Sequence, residues 1–172
     1  MIKKSIFHLP TSIFQRSYTL VELLIFMGMF SILLVVMTNI FSQIMDVRRE
    51  SESVSSVEQD GNYILNRLNY DISRASGINI PIAVGTTDTV LDITIDSSNY
   101  VYALNNENIQ LTANGQNYQL NGTNNSISNL SFKRIGNDDN KDTVQLSYTV
   151  TSRIQQASGF ETKNYQTTIG LR

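Results

Sequence analysis

The hydrophobic pattern of the chain begins with a long uncharged run near the N-terminus. No residue in 23–45 carries a charge, and the first two thirds of this stretch are almost wholly apolar. An α-helix of that length rises about 35 Å, which is enough to cross a hydrocarbon layer of about 30 Å. The pattern therefore predicts a membrane-spanning helix that ends close to Met45.

The charges on the two sides of this run predict its orientation. Lys3, Lys4 and Arg16 precede it without any acid, whereas the charges of residues 46–50 cancel. This bias favours a cytoplasmic N-terminus, with the remainder of the chain outside. A cleaved secretory signal would have a shorter apolar core that ends in small residues. No alanine precedes Ala75, so we expect the apolar segment to stay attached.

A second helical pattern follows directly. Small or apolar residues recur at steps of three, four and seven, which predicts one buried helix face over 46–76: Val47, Val54, Val57, Gly61, Ile64, Leu68, Ile72 and Ala75. Charged residues such as Asp71 are expected to lie off this face. Gly77 is predicted as the C-cap, and Gly61 as a weak point at which the helix bends.

Residues 77–172 show the two-residue period of β-strands. Leu91, Ile93 and Ile95 alternate with polar residues, and the same pattern predicts strands over 100–104, 108–112, 132–135, 143–150 and 165–171. Turn residues separate them at Asn114-Gly115, at Asn121-Gly122 and within 136–140. Polar alternate faces predict an antiparallel sheet with one face covered by the helix. The predicted fold class is therefore α+β.

The composition limits which catalytic and metal-binding sites the chain can form. The chain contains no cysteine, and its one histidine is His8. Disulfides, thiolate metal sites and cysteine nucleophiles are excluded, and histidine-dependent triads or zinc sites would need that N-terminal imidazole. No carboxylates form a recognisable catalytic pair. We expect a protein that is not an enzyme and that needs no cofactor.

One acid lies at the start of the apolar helix. Glu22 follows Thr19 by three residues, the spacing of a capping box in which Thr19 caps the helix and Glu22 reaches back. The helix dipole favours an acid there by about 0.3–1 kcal/mol. Capping explains Glu22 alone. It does not explain a short basic leader, an aromatic junction and an apolar run in that order.

The segment Tyr-Thr-Leu-Val-Glu-Leu-Leu at 18–24 resembles the processing site of the type IV prepilin family. This family includes pilins, competence pseudopilins and type II secretion pseudopilins. The resemblance implies that a membrane prepilin peptidase removes the leader 1–17 by cutting between Ser17 and Tyr18, and that Tyr18 is then N-methylated. The family prefers Gly at the position of Ser17 and Phe at that of Tyr18. The mid-helix proline of many major pilins is missing here.

A second resemblance covers 60–78, which is similar to the corresponding segment of minor pilins and of J-class minor pseudopilins of type II secretion. Together the two resemblances imply a pilin-like fold in which the hydrophobic half of the helix protrudes and the rest packs on the sheet. The implied organisation is a leader (1–17), a transmembrane or filament-core helix (18–45), an amphipathic half (46–76) and a β-rich domain (77–172).

The resemblance gives Glu22 a role in filament assembly. A carboxylate buried in an apolar bundle is costly without a partner, and cleavage would create an amine at Tyr18 of a neighbouring subunit. Two unit charges about 4 Å apart attract by about 4 kcal/mol at an effective dielectric near 20, before desolvation is subtracted. We expect Glu22 to guide docking. The implied partners are other subunits, the prepilin peptidase, an inner-membrane assembly platform and, before assembly, membrane lipid.

A calcium site is the remaining candidate. Asp138, Asn140 and Asp142 have the two-residue spacing of oxygen ligands in a calcium loop. The loop lacks the expected glycine, and Thr149 stands where a closing Glu should be. A polar hairpin turn between two strands is the favoured interpretation, so no metal site is expected.

Charge bears on the choice between functions. Without 1–17 the chain would carry ten basic and fifteen acidic residues, which disfavours direct binding of nucleic acid. The alternative to a filament subunit is a single-pass membrane anchor that displays an extracellular β domain for adhesion or sensing. An exported enzyme has no positive indication. A simple anchor needs no acid at the start of its apolar helix, so residues 18–24 favour the filament subunit.

Overall fold

The computed structural model describes residues 19–136, 142–156 and 158–172, which form one helix followed by nine strands. Helix α1 spans Leu20–Arg74, and the strands are β1 Gly77–Ile80, β2 Thr87–Asp88, β3 Leu91–Ile95, β4 Ser98–Asn105, β5 Asn108–Ala113, β6 Gln116–Gln119, β7 Asn125–Gly136, β8 Asp142–Gln156 and β9 Gly159–Gly170. The predicted α+β class, with a long apolar N-terminal helix before an antiparallel β region, is confirmed.

The chain divides into two compact units, Met1–Gln43 and Ile44–Arg172, and α1 contributes to both. In the described part of the first unit every residue of α1 is exposed, although most of the side chains are apolar. By length and composition α1 can cross a membrane. The prediction of a helix that could span a bilayer is therefore confirmed to that extent.

The strands of the second unit form two antiparallel sheets. Sheet A has the order β1-β3-β4-β5-β6, and sheet B has the order β2-β7-β8-β9. The sequence predicts one antiparallel sheet, whereas the structure has two. The strand expected at 91–95 has those observed bounds, and the strands expected at 132–135 and 143–150 lie within the longer β7 and β8.

Strands β3 to β6 of sheet A form a meander connected by tight two-residue turns. Both central residues have positive φ in the β3–β4 turn (Asp96 48°, Ser97 63°) and in the β5–β6 turn (Asn114 53°, Gly115 74°). Two positive φ values in succession are the geometry of type I′ turns, whose twist matches that of the flanking strands. The Asn114-Gly115 turn predicted from the sequence is confirmed. Of the turn predicted within 136–140, all but Gly136 lies outside the described residues.

The buried face of α1 begins later than the sequence predicts. Val57, Gly61, Ile64, Leu68, Ile72 and Ala75 are buried as expected, but Val47 and Val54 are 65% and 36% exposed. Ser53, one turn before Val57, is buried instead. Val54 lies seven residues before Gly61, and Val47 seven before Val54, so both lie close to the same side of the helix as the buried residues. They are exposed because residues 46–52 are all exposed and the buried part of α1 begins only at Ser53.

The helix also ends differently from the prediction. It stops at Arg74, and Gly77, predicted as the C-cap, is the first residue of β1 and pairs with Thr94. The Ala75 amide donates to the Ile72 carbonyl oxygen at 3.1 Å, and the Ser76 amide donates to the Thr94 carbonyl oxygen at 2.8 Å. Because β3 binds the chain immediately after the last turn, no left-handed glycine is needed there.

Candidate functional site

The start of α1 holds the residue that the sequence places at the centre of function. The Glu22 amide donates to the Thr19 hydroxyl oxygen at 3.2 Å, and the Leu23 amide donates to the Thr19 carbonyl oxygen at 3.2 Å. Thr19 therefore caps the helix, as predicted. The cap fixes Glu22 in the first turn, where the helix dipole favours an acid.

Glu22 is the one charged residue in 20–45, and its side chain is exposed together with the apolar side chains of Leu20, Val21 and Leu23. If lipid or other apolar side chains covered this part of α1, the Glu22 carboxylate would need a cation beside it. Ser17 and Tyr18, the predicted cleavage and N-methylation residues, lie outside the described residues. The structure therefore describes the position of Glu22. The Tyr18 amine that would pair with it stays a prediction.

The calcium candidate is in part engaged in a different interaction. Asp142 opens β8, and its two carboxylate oxygens accept hydrogen bonds from Arg134: Oδ1 from Nε at 3.0 Å and Oδ2 from Nη2 at 2.6 Å. This is the bidentate geometry that makes arginine–carboxylate pairs strong. Asp138 and Asn140 lie outside the described residues. Within 19–136, 142–156 and 158–172, no group of three acidic or histidine side chains could hold a metal ion.

Arg134 also holds the segment between β1 and β2. Its Nη1 donates to the carbonyl oxygens of Ile78, Pro81 and Ile82 at 3.2, 3.2 and 2.8 Å. The guanidinium is half-buried, and Asp142 supplies the negative charge that it needs there. Asp142 therefore serves the fold, a role that the spacing of residues 138–142 did not reveal.

A buried polar cluster joins α1 to sheet A. Asp71, expected off the buried face, is 1% exposed, accepts a hydrogen bond from Arg67 Nε at 2.8 Å on Oδ2, and accepts a second from the Tyr102 hydroxyl on the same oxygen. The prediction is wrong because the Tyr102 hydroxyl on β4 donates a hydrogen bond to the Asp71 carboxylate, which compensates for its removal from water. Burial, and then the hydrogen bond and charge of Asp71, raise the pKa of Tyr102.

Two tyrosines join α1 to sheet B in the same way. The Tyr148 hydroxyl donates to the Gly61 carbonyl oxygen at 2.7 Å, and the Tyr165 hydroxyl donates to that of Val57 at 3.2 Å. Their rings stack with centroids 5.3 Å apart. Burial is the main cause that raises the pKa of both phenols. Aromatic rings with satisfied hydroxyls thus fix the helix to strands β8 and β9.

A third contact joins α1 to the segment before β7. Asp60 Oδ2 accepts hydrogen bonds from the Gly122 amide and from Asn125 Nδ2, both at 2.7 Å. Asn125 is fully buried and also donates to the carbonyl and hydroxyl oxygens of Ser56 at 3.1 and 2.9 Å. Asp60 and Asn125 therefore have structural roles, which only the folded contacts reveal.

Comparisons of the chain with protein-family models, with curated proteins and with solved structures found no match. The architecture itself is pilin-like, because a long apolar N-terminal helix packs through its C-terminal part on antiparallel sheets. Hydrogen bonds of Asp71, Tyr102 and Tyr148 bind the helix to the sheets, and the apolar side chains at the start of α1 are exposed. An exposed apolar segment of this length needs an apolar covering, because water solvates it at high cost.

Proposed function

We propose that the chain is a minor pilin or pseudopilin, a structural subunit of a type IV pilus, a competence pilus or a type II secretion pseudopilus. It is inserted in the inner membrane with its N-terminus in the cytoplasm, processed by a prepilin peptidase between Ser17 and Tyr18, and moved by an assembly platform into a surface or periplasmic filament. The alternative is an uncleaved anchor that displays the β domain.

One observation carries the proposal. The apolar segment of α1 is exposed along its whole described length and continues without a break into the part that packs on both sheets, and Glu22 is its single charge. Such a segment requires a bilayer or a bundle of similar helices, because water cannot cover it at low cost. The acid near its start is what a filament would use to set the axial position of each subunit.

The first experiment determines the N-terminus. The full chain is produced in a membrane together with a prepilin peptidase, and the membrane-associated product is analysed by mass spectrometry. The proposal expects a chain that begins at Tyr18 and carries one added methyl group. Ser17→Gly is the matched variant, and we expect it to be cut at least as fast because glycine is the residue that the family prefers there. A product that still begins at Met1 contradicts the proposal and favours the anchor.

The second experiment tests assembly. Glu22→Ala and Glu22→Gln should reach the membrane in normal amounts but lose most of their incorporation into filaments, because neither can neutralise the Tyr18 amine of a neighbour. Glu50→Ala removes an exposed acid from the same helix outside the uncharged run, so it serves as the control. Normal incorporation of both Glu22 variants would show that the acid has no part in assembly.

A further inference from the structure

Strand β9 is the long edge strand of sheet B. It has 12 residues, whereas the other edge strands β1, β2 and β6 have 4, 2 and 4, and within the described residues no strand pairs with it on the side away from β8. The Leu171 amide donates to the opposite Asp142 carbonyl oxygen at 2.9 Å, so these two residues form a hydrogen-bonded pair. Such pairs alternate along an antiparallel ladder, and the register of β9 with β8 is regular from Gly170 to Thr162.

This alternation determines which backbone groups of β9 have no partner in the ladder. The N–H and C=O groups of every second residue point away from β8: Thr162, Asn164, Gln166, Thr168 and Gly170. All five residues are exposed, and no other part of 19–136, 142–156 and 158–172 forms a hydrogen bond with their backbone groups. None of the five is charged or a proline, and no bulge interrupts 162–170, so the features by which edge strands usually avoid pairing are missing here. The edge therefore presents a regular row of donors and acceptors about 27 Å long.

A groove on α1 lies beside this edge, within the unit that begins at Ile44. The side chains of Lys163 and Tyr165 contact α1, and Lys163 Nζ donates to Glu58 Oε1 at 2.7 Å. Glu58 is one of the residues that line a groove of about 420 Å³ along the helix. Val47 and Val54 line the same groove, and both are apolar and exposed. A strand added next to β9 would place every second side chain on this side of the sheet, toward the groove.

We propose that the outer edge of β9 binds an extended segment of another protein subunit, which joins sheet B as an additional strand. A peptide backbone is the occupant that matches the edge, because it repeats donors and acceptors at the same spacing. The side chains that this segment directs toward Val47 and Val54 are apolar. Those that it directs to the opposite face lie beside Asn164, Gln166 and Thr168, so they are polar and uncharged. The segment thus alternates apolar and neutral polar residues.

A second copy of β9 is the competing occupant. In an antiparallel pair of two β9 edges, the two-fold axis is perpendicular to the joined sheet and reverses every element that lies along it. The buried residues of α1 extend from Ser53 to Ile72, so α1 lies along the sheets and would point in opposite directions in the two copies. Subunits of one filament point the same way, and in a parallel pair the polar row of the second copy's β9 would face the groove. The choice of a segment from another subunit therefore rests on the proposed function.

Hydrogen exchange of single amides tests the inference directly. The isotopically labelled full chain in detergent micelles is titrated with a synthetic peptide in which valine alternates with threonine between terminal lysines, and exchange is measured by NMR. With the peptide at about ten times its dissociation constant, exchange at Asn164, Gln166 and Thr168 should slow by about tenfold. The amides of Tyr165 and Thr167 point toward β8, so their exchange should not change and shows that the domain stays folded.

Variants of the chain separate backbone pairing from side-chain contact. Gln166→Pro removes one outward N–H but no hydrogen bond to β8, so it should weaken peptide binding by about tenfold or more. Gln166→Thr keeps the N–H and is the matched control, with binding unchanged. Val54→Ser removes an apolar side chain from the groove and should weaken binding by about fivefold.

Modified peptides test the same contacts without altering the chain. If valine faces the groove, the threonines stand opposite the outward residues of β9, and their N–H groups point to it. A peptide that is N-methylated at every threonine should therefore not bind. The peptide that is N-methylated at every valine is its control and should bind as the unmodified peptide does, because those N–H groups point away from β9.

Three results would overturn the inference. The first is no protection of Asn164, Gln166 and Thr168 at about 1 mM peptide. The second is binding that neither Gln166→Pro nor methylation of the threonines weakens. The third is protection of these amides without peptide that falls on dilution, because a second copy would then occupy the edge. The N-terminus does not enter this experiment, so failure here leaves the proposed function standing, whereas a chain that keeps Met1 in the membrane contradicts that function whatever the peptide does.

Discussion

Gly61 on α1 lies against the ring of Tyr165 on β9, so closely that a Cβ atom at position 61 would lie 2.1 Å from Tyr165 Cζ. The sequence predicts a weak point of the helix at this glycine, and α1 continues through it. The missing side chain of Gly61 lets α1 and β9 approach each other closely. Tyr165 has little freedom to move aside, because its ring stacks on Tyr148 and its hydroxyl binds the Val57 carbonyl.

Gly61→Ala should therefore destabilise the β domain even though alanine is the better helix former. We expect a loss of about 1–3 kcal/mol from overpacking, measured by denaturant unfolding of the full chain in detergent. Gly28→Ala is the control, because nothing lies within 4 Å of that position and alanine should improve the helix by up to about 1 kcal/mol. In the double variant with Tyr165→Leu, the cost of Gly61→Ala should largely disappear. Equal costs in both backgrounds would show that Tyr165 is not the obstacle.

In the cluster of Arg67, Asp71 and Tyr102, loss of the acid should lower the stability more than loss of the phenol. Asp71→Ala should cost about 2–3 kcal/mol, because it leaves the buried Tyr102 hydroxyl without an acceptor and the Arg67 guanidinium, which is 36% exposed, without its counter-charge. Tyr102→Phe should cost only about 1–2 kcal/mol, since the pair of Arg67 and Asp71 survives. Denaturant unfolding measures both. A larger loss for Tyr102→Phe than for Asp71→Ala would contradict this assignment of the charges.

The buried phenols predict a loss of stability at alkaline pH. The pKa values of Tyr102 and Tyr148 are raised above their ordinary value of 10, so the folded chain keeps protons that the unfolded chain releases. The stabilising effect is complete below pH 10 and decreases as the pH rises above it, by about 1.4 kcal/mol per pH unit for each phenol. Tyr148→Phe should lessen this slope, whereas Tyr63→Phe, at an exposed phenol, should leave it unchanged. A slope that Tyr148→Phe does not alter would contradict this explanation.

The pair of Arg134 and Asp142 predicts the response to calcium. Because Arg134 holds both oxygens of Asp142, we expect millimolar Ca²⁺ to leave the thermal unfolding midpoint unchanged. Asp142→Asn should cost about 2–3 kcal/mol without any calcium, since the half-buried Arg134 loses its counter-charge. Bound calcium would instead stabilise the chain by about 2.7 kcal/mol at a hundredfold excess over its dissociation constant. A calcium-dependent rise in the unfolding midpoint that Asp142→Asn abolishes would contradict this prediction and support a calcium site at Asp142.

Local periodicity predicted the elements that depend on local sequence. Leu91, Ile93 and Ile95 gave β3 its observed bounds, because one face of that strand is fully buried and the other is polar. The Thr19 cap was predictable for the same reason, since its contacts lie within one turn. The β turn at Asn114-Gly115 needs φ values that these two residues adopt readily.

The remaining features depend on residues far apart in the chain. The division into two sheets is set by pairings such as Thr87 with Lys133, for which strand periodicity contains no signal. Asp71 was expected at the surface because its acceptor role depends on Tyr102, which belongs to another element. The spacing of Arg67 and Asp71 was the one local sign of an ion pair, and it could not show that the pair is covered.

The tight turns of sheet A have a consequence for the order in which the chain folds. Strands β3, β4, β5 and β6 pair with their immediate neighbours in sequence, so each new hairpin costs little loop-closure entropy. Strands β7, β8 and β9 also pair with their neighbours, but across larger separations, such as Thr143 with Gly170 against Tyr100 with Ala113 in sheet A, and β2 must reach β7 across the whole meander. Low contact order favours early formation, so we expect backbone amides of sheet A to gain protection from hydrogen exchange first. The meander would then be the template on which α1 and the long hairpin of sheet B condense.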